Sequence, residues 1–228
     1  MLTDAELQAL WLSLKVSARA VAFALPLAIA CAWLLARRRF LGKTLFDGFV
    51  HLPLVVPPVV VGYLLLVLFG ARGVIGQPLN DWFGIKLVFT SAGASLAIAV
   101  TTFPLMVRAI RLSIEAIDTG LEDAARTLGA RPLDRFFTIT LPLMLPGILA
   151  GAVLAFSAGL GEFGAVITFV SNIPGETQTL PLAIYTATQT VGGEGAAARL
   201  AALSIALALG GLILSEFLGR RVRRMLGH

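Results

Sequence analysis

One carboxylate lies where carboxylates are rare. Glu162 sits in Gly159-Leu160-Gly161-Glu162-Phe163-Gly164, inside a stretch that is otherwise apolar from Leu141 to Val170. An ionisable side chain at membrane depth is expensive and by default suggests function. The glycines around it favour a broken helix, which a membrane tolerates where it lines a cavity. Two readings stay open: a group facing a polar path, or a carboxylate capping freed backbone N–H groups. Side chains that could line such a polar path are Thr101, Thr102, Ser157, Thr168, Ser171 and Asn172. For Thr101 and Thr102, bonding to a carbonyl one turn back is an equal alternative.

Other chemistry is hard to assemble. Gly42-Lys43-Thr44 resembles the end of a phosphate loop, but the glycine required five residues earlier is Arg37. The chain therefore should not bind ATP. It has two histidines, His51 and His228, and one cysteine, Cys31. A soft-metal site and a Ser-His-acid set are both implausible on that count. His51, with no carboxylate beside it in sequence, reads as interfacial packing. The expectation is no enzyme, no metal and no cofactor.

The longest charge-bearing run is Glu122 to Pro142, EDAARTLGARPLDRFFTITLP. Leu121, Ala124, Ala125 and Leu128 put an apolar stripe on a short helix, with Glu122, Asp123 and Arg126 on other faces. Gly129 is placed to stop that helix in a left-handed conformation. Pro132 suits the first turn of a second helix. So short a helix is unstable alone in water, and its stripe needs a partner.

The elements that carry these residues are membrane spans. The chain is 57% hydrophobic and 14% charged, against about 25% charged in an average soluble domain. About 20 apolar residues cross the hydrocarbon core, and five stretches approach that: Leu10 to Ala36, Phe49 to Phe69, Leu87 to Ile110, Leu141 to Val170 and Leu200 to Leu218. The first continues past Cys31 and reads as an uncleaved span. Pro53, Pro57 and Pro58 should kink or break the second, because lipid cannot satisfy freed carbonyls. Gly147, Gly151, Ala155 and Gly159 form a smooth ridge on the fourth, and Ala202, Ala206 and Gly210 another on the fifth, suited to a compact bundle or a dimer seam. Leu180 to Thr188 could form a short helix on the outer face.

Thirteen of the 18 basic residues fall on one side: Arg37, Arg38, Arg39, Lys43, Arg108, Arg111, Arg126, Arg131, Arg135, Arg220, Arg221, Arg223 and Arg224. The positive-inside rule puts that side, with Glu122 to Pro142 and the C-terminus, in the cytoplasm, and the N-terminus outside. Basic residues at span ends also account for the net charge of +5, so nucleic acid is not an expected partner. The fold class is an all-α polytopic membrane protein of about five helices. It forms one transmembrane domain over residues 1–228, with a cytoplasmic loop at about 112–140.

Asp123-Ala124-Ala125, three residues, Gly129, nine residues, then Ile139-Thr140-Leu141-Pro142 resembles the EAA loop of ABC importer membrane subunits. Asp123 stands where that family has glutamate, with Glu122 one residue earlier. His51 to Tyr63 (HLPLVVPPVVVGY) is similar to molybdate-type permeases. Gly159 to Ala165 is similar to a segment of molybdate and sulfate permeases, and Ser171 to Thr177 to the molybdate type. The resemblance implies a type I importer permease in the bacterial inner membrane, taking up molybdate and tungstate. It implies a second copy of the chain, two ABC ATPase subunits and a periplasmic oxyanion-binding protein. Glu122, Asp123, Ala124, Ala125, Gly129, Ile139, Leu141 and Pro142 would couple it to the ATPase. Thr101, Thr102, Ser157, Glu162, Thr168, Ser171 and Asn172 would line the path. The rival expectations are a sulfate or thiosulfate permease, a non-transporting scaffold and a membrane-embedded enzyme.

Overall fold

The structure is a computed structural model that describes residues 2–225. His228 lies outside them, and Arg220, Arg221, Arg223 and Arg224 are described only in their backbone. Every regular element among the described residues is helical.

The first helix, α1 (Asp4–Arg37), starts earlier than hydropathy alone suggests. The reason is a capping box: Thr3 N–H donates to Glu6 Oε2 at 2.7 Å and Glu6 N–H to Thr3 Oγ1 at 3.3 Å. At about 1.5 Å per residue, its 34 residues exceed the hydrocarbon thickness. Its buried stripe, Val16, Ala20, Ala24, Ala28 and Ala32, repeats every fourth residue.

The proline-rich stretch is broken, as its composition requires. Helices α2 (Lys43–Val55) and α3 (Pro58–Phe69) meet at 112°. Pro57 and Pro58 have no N–H to give the carbonyls of Pro53 and Leu54, so the helix cannot continue through them. A short helix, α4 (Gly76–Phe83), follows and was not anticipated.

Helix α5 (Ser91–Glu115) is the hub, with Ile98, Met106, Val107, Ile110 and Ile114 fully buried. One core cluster joins it to α1 and α3 through Val16, Val61 and Leu65. The other joins it to α1 and to α8 (Leu141–Leu160) through Leu35 and Met144. The glycine ridge of α8 is the seam of that second contact. A Cβ at Gly147 would lie 2.3 Å from Ser113 Cβ and 2.9 Å from the Ala109 carbonyl oxygen, and one at Gly159 2.6 Å from Ile98. The ridge thus serves close packing within one chain. The companion ridge on α11 (Glu194–Met225) is open: Ala202, Ala206 and Gly210 are exposed.

Between α5 and α8 lie α6 (Thr119–Thr127), α7 (Pro132–Arg135) and one π-helical turn over Phe136–Thr140, which local sequence did not signal. The fourth apolar run is one span and a half. Helix α8 ends at Leu160, and α9 (Gly164–Val170) restarts after an irregular Gly161–Phe163. Helix α10 (Leu180–Thr188) has the bounds expected of it. Among the described residues four helices are long and apolar enough to cross a membrane, or five if the bent pair α2–α3 counts as one span.

Candidate functional site

The charge-bearing run folds into a knuckle. Asp118 caps α6, its Oδ1 accepting the Gly120 N–H at 2.8 Å. The helix buries no residue. Its stripe faces outward instead, with Leu121 49% and Leu128 88% exposed, Ala124 exposed and Ala125 half-buried. Leu133 on α7 and Phe137 after it extend the apolar surface.

Gly129 turns the chain at φ +87°. The Gly129 N–H donates to the Arg126 carbonyl at 3.1 Å and the Ala130 N–H to the Ala125 carbonyl at 3.0 Å. These are the two bonds of a Schellman stop. Pro132 then opens α7, with the Arg131 N–H donating to Asp134 Oδ2 at 3.3 Å. Ile139 and Leu141 are half-buried, Leu141 against the α1/α5/α8 core, and Pro142 is exposed in the first turn of α8.

The two adjacent acids differ sharply. Asp123 is exposed. Glu122 Oε1 accepts from Arg37 Nη2 at 3.1 Å and from Thr140 Oγ1 at 2.9 Å. Arg37 Nη2 also lies 3.5 Å from the Ile117 carbonyl, and Arg135 Nη1 3.5 Å from the Glu122 carbonyl. Sequence reasoning missed Arg37 and Thr140. Arg37 reads as a topology signal and Thr140 as a variable position of the motif, and nothing local predicts their meeting.

Glu162 is half-buried at the break, where its Oε1 accepts the Ala165 N–H at 3.0 Å. That is the capping geometry of the two open readings. The break packs against α3: a Cβ at Gly164 would be 3.0 Å from Pro58, and one at Gly62 2.6 Å from the Ala165 carbonyl oxygen. The two interrupted segments therefore lie side by side. Thr168 donates back to the Gly164 carbonyl at 2.8 Å and faces Gly62. Ser171 closes α9 at φ +65°, and Asn172 Nδ2 donates to Thr186 on α10 at 2.8 Å. Thr101 and Thr102 are buried, with both hydroxyls bonded to carbonyls three or four residues back. Ser157 lies against Gly211 of α11.

His51 has a partner that spacing alone could have revealed. His51 Nδ1 lies 2.9 Å from the Asp47 carbonyl oxygen one turn earlier on α2 and 3.0 Å from Asp47 Oδ1, and Arg111 bridges Asp47 at 2.9 Å and Glu115 at 2.7 Å. These groups and Arg108 line a cleft of about 550 Å³ between α2 and α5. Among the described residues no three His, Cys, Asp or Glu side chains converge as a metal site.

Comparison with known proteins places this geometry. Residues 24–224 match the family described as binding-protein-dependent transport system inner membrane component. The molybdenum transport system permease protein ModB of Escherichia coli K12 is 63% identical over 228 residues, covering all of both chains. The sulfate transport system permease protein CysT of Salmonella typhimurium LT2 is 37% identical over 197 residues, 86% of this chain and 71% of that one. A bacterial alginate ABC transporter, solved with an alginate-bound periplasmic protein, has a chain that superposes with a TM-score of 0.75. At 18% identity it covers 96% of this chain and 80% of its own length, and it shows the fold.

Proposed function

The chain belongs to the binding-protein-dependent transport inner membrane component family, and on that premise we propose that it is the permease subunit of a molybdate importer. Tungstate, a tetrahedral oxyanion of the same charge, is its second cargo. The chain acts as one transmembrane domain over residues 1–228, sits in the inner membrane and carries out no hydrolysis itself. Two copies meet two ATPase subunits on the cytoplasmic side and one oxyanion-binding protein outside. Molybdate is preferred to sulfate as cargo because the molybdenum permease is the much nearer relative, at 63% against 37% identity.

The observation that carries the coupling role is the unpartnered apolar face of α6, with Leu128 88% exposed. It stands on the side marked by 13 of 18 basic residues and is held by the turn at Gly129. A lone surface helix of nine residues is marginal in water, so a groove on the ATPase is its fitting seat. Glu122, Asp123, Ala124, Ala125, Gly129, Ile139, Leu141 and Pro142 form or support the knuckle that docks there. When the ATPase dimer closes on ATP, the docked helices move, and the bundle exchanges inward-open for outward-open states. A ligand drives such a change only by binding the two states unequally. Here that binding happens on the ATPase, and this chain transmits it.

For the path, the paired breaks at Val56–Pro57 and Gly161–Phe163 are the favoured lining, with Glu162 as a cap and Thr168, Ser171 and Asn172 beside it. Irregular backbone at membrane depth occurs where it is buried in protein or lines a water-filled cavity, and the second case is the one proposed here. Thr101, Thr102 and Ser157 fit helix packing in this conformation and would face cargo only in another. Co-purification with the ATPase, and uptake of labelled molybdate challenged with tungstate and sulfate, test the proposal. Sulfate competing as well as tungstate would reassign the cargo.

A further inference from the structure

We propose that the Glu122 carboxylate is the point through which motion of the knuckle reaches the spans. Arg37 and Thr140 act as the positioning residues that tie it to α1 and α8. This rests on the reading of α6 as the element that docks on the ATPase.

Helix α6 buries no side chain, so apolar packing cannot make it a stiff lever. Its long-range side-chain ties to the spans converge on one residue. Arg37, the last residue of α1, reaches Glu122 Oε1 at 3.1 Å across 85 positions of sequence. Thr140, immediately before α8, reaches the same oxygen at 2.9 Å. Arg37 also meets the Ile117 carbonyl, just past α5. The ends of three spans are thereby linked to the first turn of the knuckle. Glu122 and Arg37 are sheltered, at 22% and 15% side-chain exposure, so water screens the pair less than it would a surface pair.

The link is also incompletely made. Arg37 uses one nitrogen where a guanidinium can offer a two-pronged fork. Its Nε, and that of Arg135 on the other side of Glu122, are buried without an acceptor. Buried donors normally find partners. The fork geometry of a guanidinium allows a second arrangement of this joint, in which Arg37 grips Glu122 through two nitrogens. Such a two-state element is what coupling between distant sites requires.

The test uses the full importer in proteoliposomes, with its ATPase and binding protein. Arg37→Gln should keep the ATPase bound at normal stoichiometry yet lower molybdate uptake per ATP hydrolysed about two- to thirtyfold. Thr140→Val, near-isosteric and free of any charge change, should lower it about fivefold. The exchange Arg37→Glu with Glu122→Arg should recover uptake at least partly over either single reversal. Rescue of uptake per ATP hydrolysed, in variants whose melting temperature and ATPase stoichiometry stay normal throughout, would not follow from a merely structural role. Retained ATPase with unchanged uptake per ATP in Arg37→Gln and Thr140→Val would overturn this inference alone. Loss of the ATPase from Arg37→Gln would overturn it too, by making Arg37 a docking residue. An unaltered chain that captures no ATPase would instead overturn the docking reading beneath it.

Discussion

Replacing Gly129 by valine tests the knuckle most cleanly. At φ +87° a β-branched residue is strained, and nothing lies within 4 Å of the position where its Cβ would be. The penalty is therefore conformational and local, about 1–2 kcal/mol for forcing a left-handed residue, with no clash to spread into the bundle. Relief comes by abandoning the two carbonyl bonds that stop α6, from Gly129 to Arg126 and from Ala130 to Ala125. Since α6 buries nothing, only the Glu122 ties to Arg37 and Thr140 otherwise hold its orientation, and the competent population should fall about five- to thirtyfold. In proteoliposomes carrying the complete importer, Gly129→Val should leave the chain folded and inserted but reduce molybdate uptake per ATP about tenfold. Gly129→Asn should stay within about threefold of the unaltered protein, because asparagine tolerates this conformation. Unimpaired transport by the valine variant would refute the role of the turn, and equal loss in both variants would refute the conformational reasoning.

Four other outcomes follow from the geometry. Glu162→Gln keeps an oxygen for the Ala165 N–H and should retain uptake, whereas Glu162→Ala should lose about 1 kcal/mol of local stability; abolished uptake in the glutamine variant would make the charge itself functional. Gly147→Ala drives a methyl to 2.3 Å from Ser113 Cβ and 2.9 Å from a backbone carbonyl, so thermal unfolding in detergent should show about 1–3 kcal/mol of destabilisation. Leu128→Asp should abolish co-purification of the ATPase while leaving the chain's own melting temperature unchanged, since that side chain is 88% exposed. Thr102→Val should leave uptake within about twofold, because the hydroxyl bonds only its own helix at Ile98; a large loss would return Thr102 to the path.

What the sequence made legible were features fixed by local rules. Hydropathy placed the spans, the prolines broke α2 from α3, and Gly129 stopped α6, because each depends on residues within a turn or two. The start of α1 lay six residues before the apolar run because Thr3 and Glu6 cap it, a signal present but outweighed by hydropathy. The His51–Asp47 pair was readable at one-turn spacing and was overlooked. The glycines around Glu162 announced irregular backbone, yet capping and path-lining give the same local pattern. The Glu122 hub was out of reach. Its partners stand 85 and 18 positions away, and no periodicity encodes which guanidinium of a basic triplet turns inward. The π-helical turn at Phe136–Thr140 arises where α7 runs into α8, a junction set by tertiary packing.

The most direct measurement of the central claim is cross-linking from Leu128→Cys in a chain whose Cys31 has been replaced by alanine. In inverted membrane vesicles that cysteine should cross-link to the ATPase subunit and be shielded from protease while the complex is intact. Labelling of the same cysteine from outside intact cells by a membrane-impermeant reagent would contradict the account.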